Sequence, residues 1–324
     1  MIRTILIHAA ALAASIASGP VAAQAGPYPA KAIRFIVPFA PGGSADTIGR
    51  LLAQEMAKSL AQPVLVDNRP GGGGTIGVDA VAKAAPDGHT IGIAATGALA
   101  INVTLMKLPY DPLKDLAPVS KLADIPMVIA AHPASGIDSV KDLIARAKAK
   151  PGSLAYGTTG IGSAMHLSGE MLKLIAGVEL VHVGYKGSAP AVMDVVAGQI
   201  PIAIVDLTSA LPHVRSGRIK ALATLGARRT LTAPDLPTMA EAGIPGYDAV
   251  GWFGIVAPGG TPRDAIRKLN GEINRVMRLP DIREKSLAVG AEPATGSAEE
   301  FGALIAAEIP KWGEAVRASG AKAN

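Results

Sequence analysis

The sequence predicts an α/β fold with mostly parallel strands, and three observations carry that expectation. Short β-branched runs alternate with amphipathic stretches of helical period over most of the 324 residues. Hydrophobic residues make up 49% of the chain, enough to build a sizeable core and too many for a disordered one. Turn residues gather at 118–126 and 225–237, where crossings between two lobes are expected.

The amino terminus sets the compartment. Met1-Ile2-Arg3 supplies one positive charge, 5–16 is apolar, and Ala23-Gln24-Ala25 forms a small-x-small cleavage site, so 1–25 reads as a secretory signal peptide. The apolar run falls short of the roughly 20 residues that a membrane span needs, and no later run supplies them. With no cysteine in the chain, disulfides, thiolate catalysis and a lipid anchor at the cleavage site are all excluded. A periplasmic, unanchored protein is the expectation, with a monomer as the expected state.

The elements follow in order. Strands are predicted over 33–37, 64–66 and 90–94, separated by helices over 47–60 and 76–84; Ile48, Leu51, Leu52 and Met56 give the first helix its apolar face. After the first break come a strand over 127–131, a helix over 139–148, a strand over 153–156 and a helix over 164–174. Strand, helix and strand then follow over 178–183, 189–196 and 200–205. Two carboxyl-terminal helices are predicted over 263–277 and 298–317.

Two of these units repeat one design. A strand leads through Pro41, Gly42, Gly43 and Ser44 into the first helix, with Asp46 in its first turn. A second strand leads through Thr158, Thr159, Gly160, Gly162 and Ser163 into another, with His166 in its first turn. In each, a hydroxyl residue stands where a helix N-cap is expected, at the carboxyl end of a strand, where open α/β sheets bind ligands. A helix start offers unpaired N–H groups and about half a positive charge, so an anion is favoured there. Two such ends facing each other across a cleft would hold a carboxylate without any arginine, with Ser44 and Ser163 expected to donate to it. A third turn carries Tyr185, Lys186 and Ser188, the serine as a further possible cap and the lysine expected in solvent. Asp206 follows a strand directly and would either orient a water or amine or cap a helix beginning near Thr208.

Other chemistries lack support. Net charge is +5, no run of five basic residues occurs, and the 11 aromatic residues do not alternate with basic ones, which argues against nucleic acid. Gly72 to Gly77 matches G-x-G-x-x-G in letter, but four residues, Asp67 to Pro70, separate the glycine run from the preceding strand, so no dinucleotide is expected; no other cofactor is implied. There is no G-x-S-x-G, no H-E-x-x-H and no metal-ligand spacing among the histidines, and His166 has no evident orienting carboxylate. An exported hydrolase is therefore the weaker rival reading, and a receptor serving a signalling partner is another.

Pro38 to Asp46 with Arg50, then Val66-Asp67-Asn68-Arg69-Pro70-Gly71, form a distinctive pair of motifs. Ala84 to Gly88, Gly162-Ser163 with His166-Leu167, Tyr185-Lys186-Gly187 with Pro190-Ala191, and Leu236 to Gly243 continue the series. Together they resemble the Bug family of extracytoplasmic solute receptors, the binding components of tripartite tricarboxylate transporters, over essentially the whole chain after 25. The resemblance implies a two-lobed periplasmic-binding-protein fold, type II-like, that closes as a Venus flytrap. It implies a dicarboxylate, tricarboxylate or aromatic acid as ligand, and a membrane permease of one large and one small subunit as partner. Lobes of 26–122 plus 226–324, and 123–225, are expected. The family's binding loops fall on Pro41 to Asp46 and on Thr158 to Ser163, and a loop able to touch ligand falls on Ala95-Thr96-Gly97-Ala98. The small residues there, and Val205 where the family often has an aromatic residue, point to a roomier pocket.

Overall fold

A computed structural model describes residues 28–288 and 290–322; the expected signal peptide lies outside the described residues. Two α/β lobes are present, each built on its own sheet. The first sheet comprises β1 (Ile33–Val37), β2 (Val64–Asn68), β3 (Thr90–Ala95), β4 (Leu116–Ile125), β10 (Gly251–Pro258) and β11 (Glu292–Pro293), in the order β11-β4-β10-β3-β1-β2. The second comprises β5 (Met127–Ala131), β6 (Ala155–Thr158), β7 (Val181–Gly184), β8 (Ile202–Asp206) and β9 (Lys220–Thr224), in the order β7-β6-β8-β5-β9.

The expectation of mostly parallel strands needs correction. β1 pairs in parallel with β2 and β3, and β6 with β7 and β8, but β10 and β5 run antiparallel to their neighbours. The reason is topological. The chain leaves the first sheet at Ile125 and enters the second at Met127, so β5 must start at the cleft while β8 ends there, as the pairing Met127 with Asp206 records. On the return, β10 starts at Gly251 opposite Ile125. All the parallel strands therefore direct their carboxyl ends at the cleft, where ligands bind in such sheets.

Burial explains the strand sequences. Ile33, Phe35, Ile36 and Val37 are fully buried because helices cover both faces of β1, which is why it reads as a continuous apolar run. Its neighbour α1 (Ser44–Leu60) buries Ile48, Leu52 and Met56, four residues apart, against the same sheet. Each of these side chains contributes about 1.5–3 kcal/mol on leaving water. The remaining helices are α2 (Thr75–Ala82), the short α3 (Asn102–Leu105), α4 (Val140–Ala149), α5 (Ala164–Ala176), α6 (Ser188–Val196), α7 (Leu207–Arg215), α8 (Arg263–Met277), α9 (Pro280–Ala288) and α10 (Ala298–Ser319). Caps set several starts: Ser139 accepts from Asp142 N, and Ser297 with Glu300 forms a capping box.

Two expected breaks have more structure than their composition suggests. The stretch 118–126 is not a loop but most of β4, with Val119, Leu122 and Ala123 buried; Pro118 sits beside an irregularity in the pairing with β10, and Pro126 falls just after the strand. In the stretch after β9, Met239, Ile244, Tyr247 and Ala249 pack into the second lobe's core, and Tyr247 Oη donates to the Ser168 carbonyl. Finally, α10 joins the lobes: Phe301 and Ile305 pack beside β1 and β10, whereas Trp312 and Val316 pack with the second lobe.

Candidate functional site

Carboxyl ends of strands from both sheets line one narrow cavity between the lobes. β3 contributes Ala95 and the following Thr96 and Gly97, β4 contributes Ile125, and β10 contributes Gly251, Trp252 and Phe253. The second lobe supplies Thr159, Ser163, Ala164, Met165, Ser188 and Asp206, while Phe39, Gly43, Ser44, Ala45 and Gly73 complete the first-lobe wall. Among the described residues no lysine, arginine or histidine lines it. Aromatic and small apolar groups form most of the wall, so polar recognition rests on helix ends, hydroxyls and one carboxylate.

Backbone geometry prepares those helix ends. At α1 the N-cap is Gly43, with no side-chain bond, and Ser44 is the first helical residue, which corrects the expectation that Ser44 caps the helix. Asp46 supplies the order instead: its carboxylate accepts from Gly42 N at 3.0 Å, Asn68 Nδ2 at 2.9 Å and Arg50 Nε at 3.0 Å. Burial would raise the Asp46 pKa, but these hydrogen bonds and the Arg50 charge outweigh it and hold the group below the usual carboxylate range. The N–H groups of Ser44 and Ala45 have no intrahelical acceptor and open toward the cavity.

At α5 the expected cap is present: Ser163 Oγ accepts from His166 N at 3.2 Å and donates to the Gly160 carbonyl at 2.7 Å. Both roles of that hydroxyl are thus engaged within its own loop. The groups left for a ligand are the N–H of Ala164 and of Met165, which start the helix at the cavity wall. Thr158 turns away from the cavity: its Oγ1 accepts from Gly160 N and meets His182 Nε2 at 2.7 Å. His166 lies behind the loop, with Nδ1 accepting from Gly162 N at 3.3 Å and its ring 4.2 Å from that of His182. Burial lowers the pKa of His166 and, with His166 close by, brings His182 down to about 4, so the fold favours the neutral form of both rings.

Of the residues predicted for the site, Gly43, Ser44, Thr96, Thr159, Ser163 and Asp206 meet at the cavity wall. Pro41, Gly42, Asp46, Thr158, Gly160, Gly162 and His166 shape its two loops from outside the wall. Tyr185 Oη donates to Asp194, which together with burial raises its pKa to about 12, and the ring stays behind the loop. Ser188 is the first residue of α6, not its cap, and its Oγ accepts from Asp206 N at 3.4 Å. Lys186 is exposed, as expected. Asp206 caps α7, with Oδ1 accepting from Ser209 N at 2.8 Å. Val205 is buried in the second lobe's core and does not touch the cavity.

Missed from sequence were the walls on β10 and the glycines at the seam. A Cβ on Gly73 would lie 2.5 Å from the Ile161 carbonyl, one on Gly97 2.5 Å from the Gly162 carbonyl, and one on Gly162 1.9 Å from Asn102 Oδ1. The lobes therefore touch backbone to backbone across the cleft, and Ala40 N donates to the Lys186 carbonyl at 3.0 Å on the same seam. That explains the run at Gly71 to Gly74, whose φ values of 130°, 57°, 62° and 99° few other residues would adopt. Among the described residues no cluster suited to a metal ion occurs and no helix is long and apolar enough to cross a membrane.

Comparison with known proteins bears on this arrangement. Residues 48–321 match the tripartite tricarboxylate transporter family receptor. Protein BugT of Bordetella pertussis is 41% identical over 324 residues, covering 99% of each chain. Among solved structures, R. palustris Rpa4515 with adipate superposes with a TM-score of 0.87 at 36% identity, over 90% of this chain and 98% of that one. MatC of Rhodopseudomonas palustris, with bound malate, superposes at 0.84 and 33%, over 89% of this chain and 100% of that one. Two lobes meeting on a cavity ringed by helix starts and a sequence match over most of the length lead to one assignment: the chain belongs to the tripartite tricarboxylate transporter receptor family and is a solute-binding receptor of the periplasmic Bug type.

Proposed function

We propose that this receptor captures a small carboxylate in the cavity between its lobes and delivers it to a membrane permease of one large and one small subunit, without chemical turnover. One observation carries the reading: the first residues of α1 from the first lobe and of α5 from the second line the same cavity, and among the described residues no cationic side chain lines it. Such groups suit an anion with planar oxygens. Several charge-assisted hydrogen bonds at about 1.5–3 kcal/mol each, less the cost of ordering, bring micromolar affinity within reach. The complexes of similar receptors with adipate and malate support the ligand class.

Turnover has no apparatus at the wall. Ser163 Oγ donates to a carbonyl instead of a base, and His166 lies behind the loop with Nδ1 on a backbone N–H. We place the lobe crossings at Pro126 and just before Gly251, where the chain passes between sheets. Closure about these crossings gives a permease a liganded form with both lobe surfaces in register. In the periplasm, the expected site of action, the receptor works as a monomer.

A thermal-shift screen of the chain from 26 onward against mono-, di- and tricarboxylates, amino acids and aromatic acids tests the reading. A ligand bound only by the folded state raises the melting temperature. A clear rise with one carboxylate class is expected; a folded protein that answers only to uncharged sugars or to cations would overturn the proposal.

A further inference from the structure

Among the described residues Asp206 is the only charged side chain at the cavity wall, and no salt bridge among them includes it. It is 2% exposed. One carboxylate oxygen, Oδ1, accepts from Ser209 N; the other, Oδ2, has no hydrogen-bond partner or ion pair among the described residues. The nearby hydroxyl of Ser188 faces the backbone N–H of Asp206 and accepts from it. Oδ2 is not among the buried unpartnered atoms, so it is left open at the cavity wall, where its donor comes from water or from what the cavity holds.

The other groups at the wall offer the opposite chemistry. Ser44 and Ala45 on α1 and Ala164 and Met165 on α5 present N–H donors. Thr96 Oγ1 is engaged with Trp252 on both sides, donating to its carbonyl and accepting from its N–H, and the indole Nε1 donates to Glu308. The wall thus pairs a donor-rich region, fit for one carboxylate, with a single charged acceptor. Charge gives the same division. The starts of α1, α5, α6 and α7 all reach the cavity, each worth about half a positive charge, against one negative charge on Asp206. About one positive charge remains, which a monoanion balances and a dianion exceeds.

Building on the reading of this cavity as a carboxylate site, we propose that Asp206 determines specificity. The solute is a monocarboxylate whose second polar group donates a hydrogen bond to Asp206 Oδ2, a hydroxyl or an ammonium in place of a second carboxylate. The apolar walls of Phe39, Ile125, Met165 and Phe253 enclose the skeleton between the two polar ends.

Calorimetric titration with two matched series tests this. The first is butyrate, 4-hydroxybutyrate, 4-aminobutyrate and succinate; the second is benzoate, 4-hydroxybenzoate and terephthalate. In at least one series the donor-bearing monoacid is expected to bind about 10- to 100-fold tighter than its unsubstituted parent, the range for a hydrogen bond to a charged group, and tighter than the diacid. The hydroxyl and amino members distinguish the two donors. Asp206→Asn keeps an acceptor for Ser209 N and a good helix cap, so the variant should fold, and it should reduce the discrimination to within about three-fold. Equal binding of parent and donor acids by the unaltered receptor, preference for the diacid, or discrimination surviving Asp206→Asn would overturn the proposal while leaving carboxylate binding in place. Failure of every acid in both series to bind would overturn it together with the carboxylate reading.

Discussion

Replacing Gly97 with alanine should stop the lobes from meeting as they do here while leaving each lobe's own packing intact. The added Cβ would lie 2.5 Å from the Gly162 carbonyl oxygen and 3.1 Å from Ser163 Cα, both backbone atoms of the opposite lobe. Against an ordinary contact near 3.4 Å, the shortfall is about 0.9 Å, and backbone on both sides leaves no flexible side chain to absorb it. Separating the lobes by that amount stretches a hydrogen bond of about 2.9 Å to about 3.8 Å, beyond useful length. A ligand held from both sides then loses one or two charge-assisted bonds of about 1.5–3 kcal/mol each, so affinity falls about 10- to 100-fold for one and about 100- to 10,000-fold for two. Gly97 has no left-handed φ, so alanine brings no backbone strain there. The ligand-free melting temperature should stay within about 2 °C. Titration calorimetry with the best carboxylate, paired with small-angle scattering, reads both effects, and Gly271→Ala, where a Cβ meets nothing within 4 Å, is the control. Affinity within about three-fold of the parent, with ligand still compacting the Gly97→Ala protein, would refute the close-contact argument.

Other outcomes follow from the same geometry. Ser163→Ala should lower stability by about 1 kcal/mol, because the α5 cap and the bond to the Gly160 carbonyl are both lost; chemical denaturation measures it, and an unchanged midpoint would contradict the capping role. Acid should weaken the second lobe through His182. Its ordinary pKa of 6.5 falls to about 4 in the fold, chiefly through burial and then through His166. The unfolded chain therefore takes up a proton first, and stability present above about pH 6.5 declines as pH falls toward about 4 and levels off below. In a His182→Asn variant the decline over that window should be shallower than in the parent; parallel melting curves would count against the assignment.

Much of the fold was legible because burial writes itself into sequence. The apolar run Ile33–Val37 and the spacing of Ile48, Leu52 and Met56 each mark a buried face, and these elements appear within a few residues of their predicted limits. β4 was hidden because Pro118 and Pro126 read as a break, although the first sits beside an irregularity in the pairing with β10 and the second falls just beyond the strand. The antiparallel courses of β5 and β10 were hidden because direction depends on where the chain crosses between lobes, which local periodicity does not encode. At the site, glycine and hydroxyl residues at helix starts gave both loops and Asp206. Local pattern could not distinguish a residue at the wall from one behind it: Ser44 and Ser163 look alike in sequence, yet only Ser163 is a cap. Trp252 and Phe253 carried no signal beyond their hydrophobicity, since only the meeting of the two lobes brings them to the same cavity wall as Ser163 and Ala164.

The central claim, that helix starts of both lobes and no basic side chain hold the solute, is tested most directly by a crystal structure with the tightest-binding carboxylate from the screen. The account predicts carboxylate oxygens about 2.7–3.2 Å from the N–H nitrogens of Ala164 or Met165 on one side and of Ser44 or Ala45 on the other, directly or through one ordered water. A carboxylate paired with lysine or arginine, or lying outside the cavity between the lobes, would contradict it.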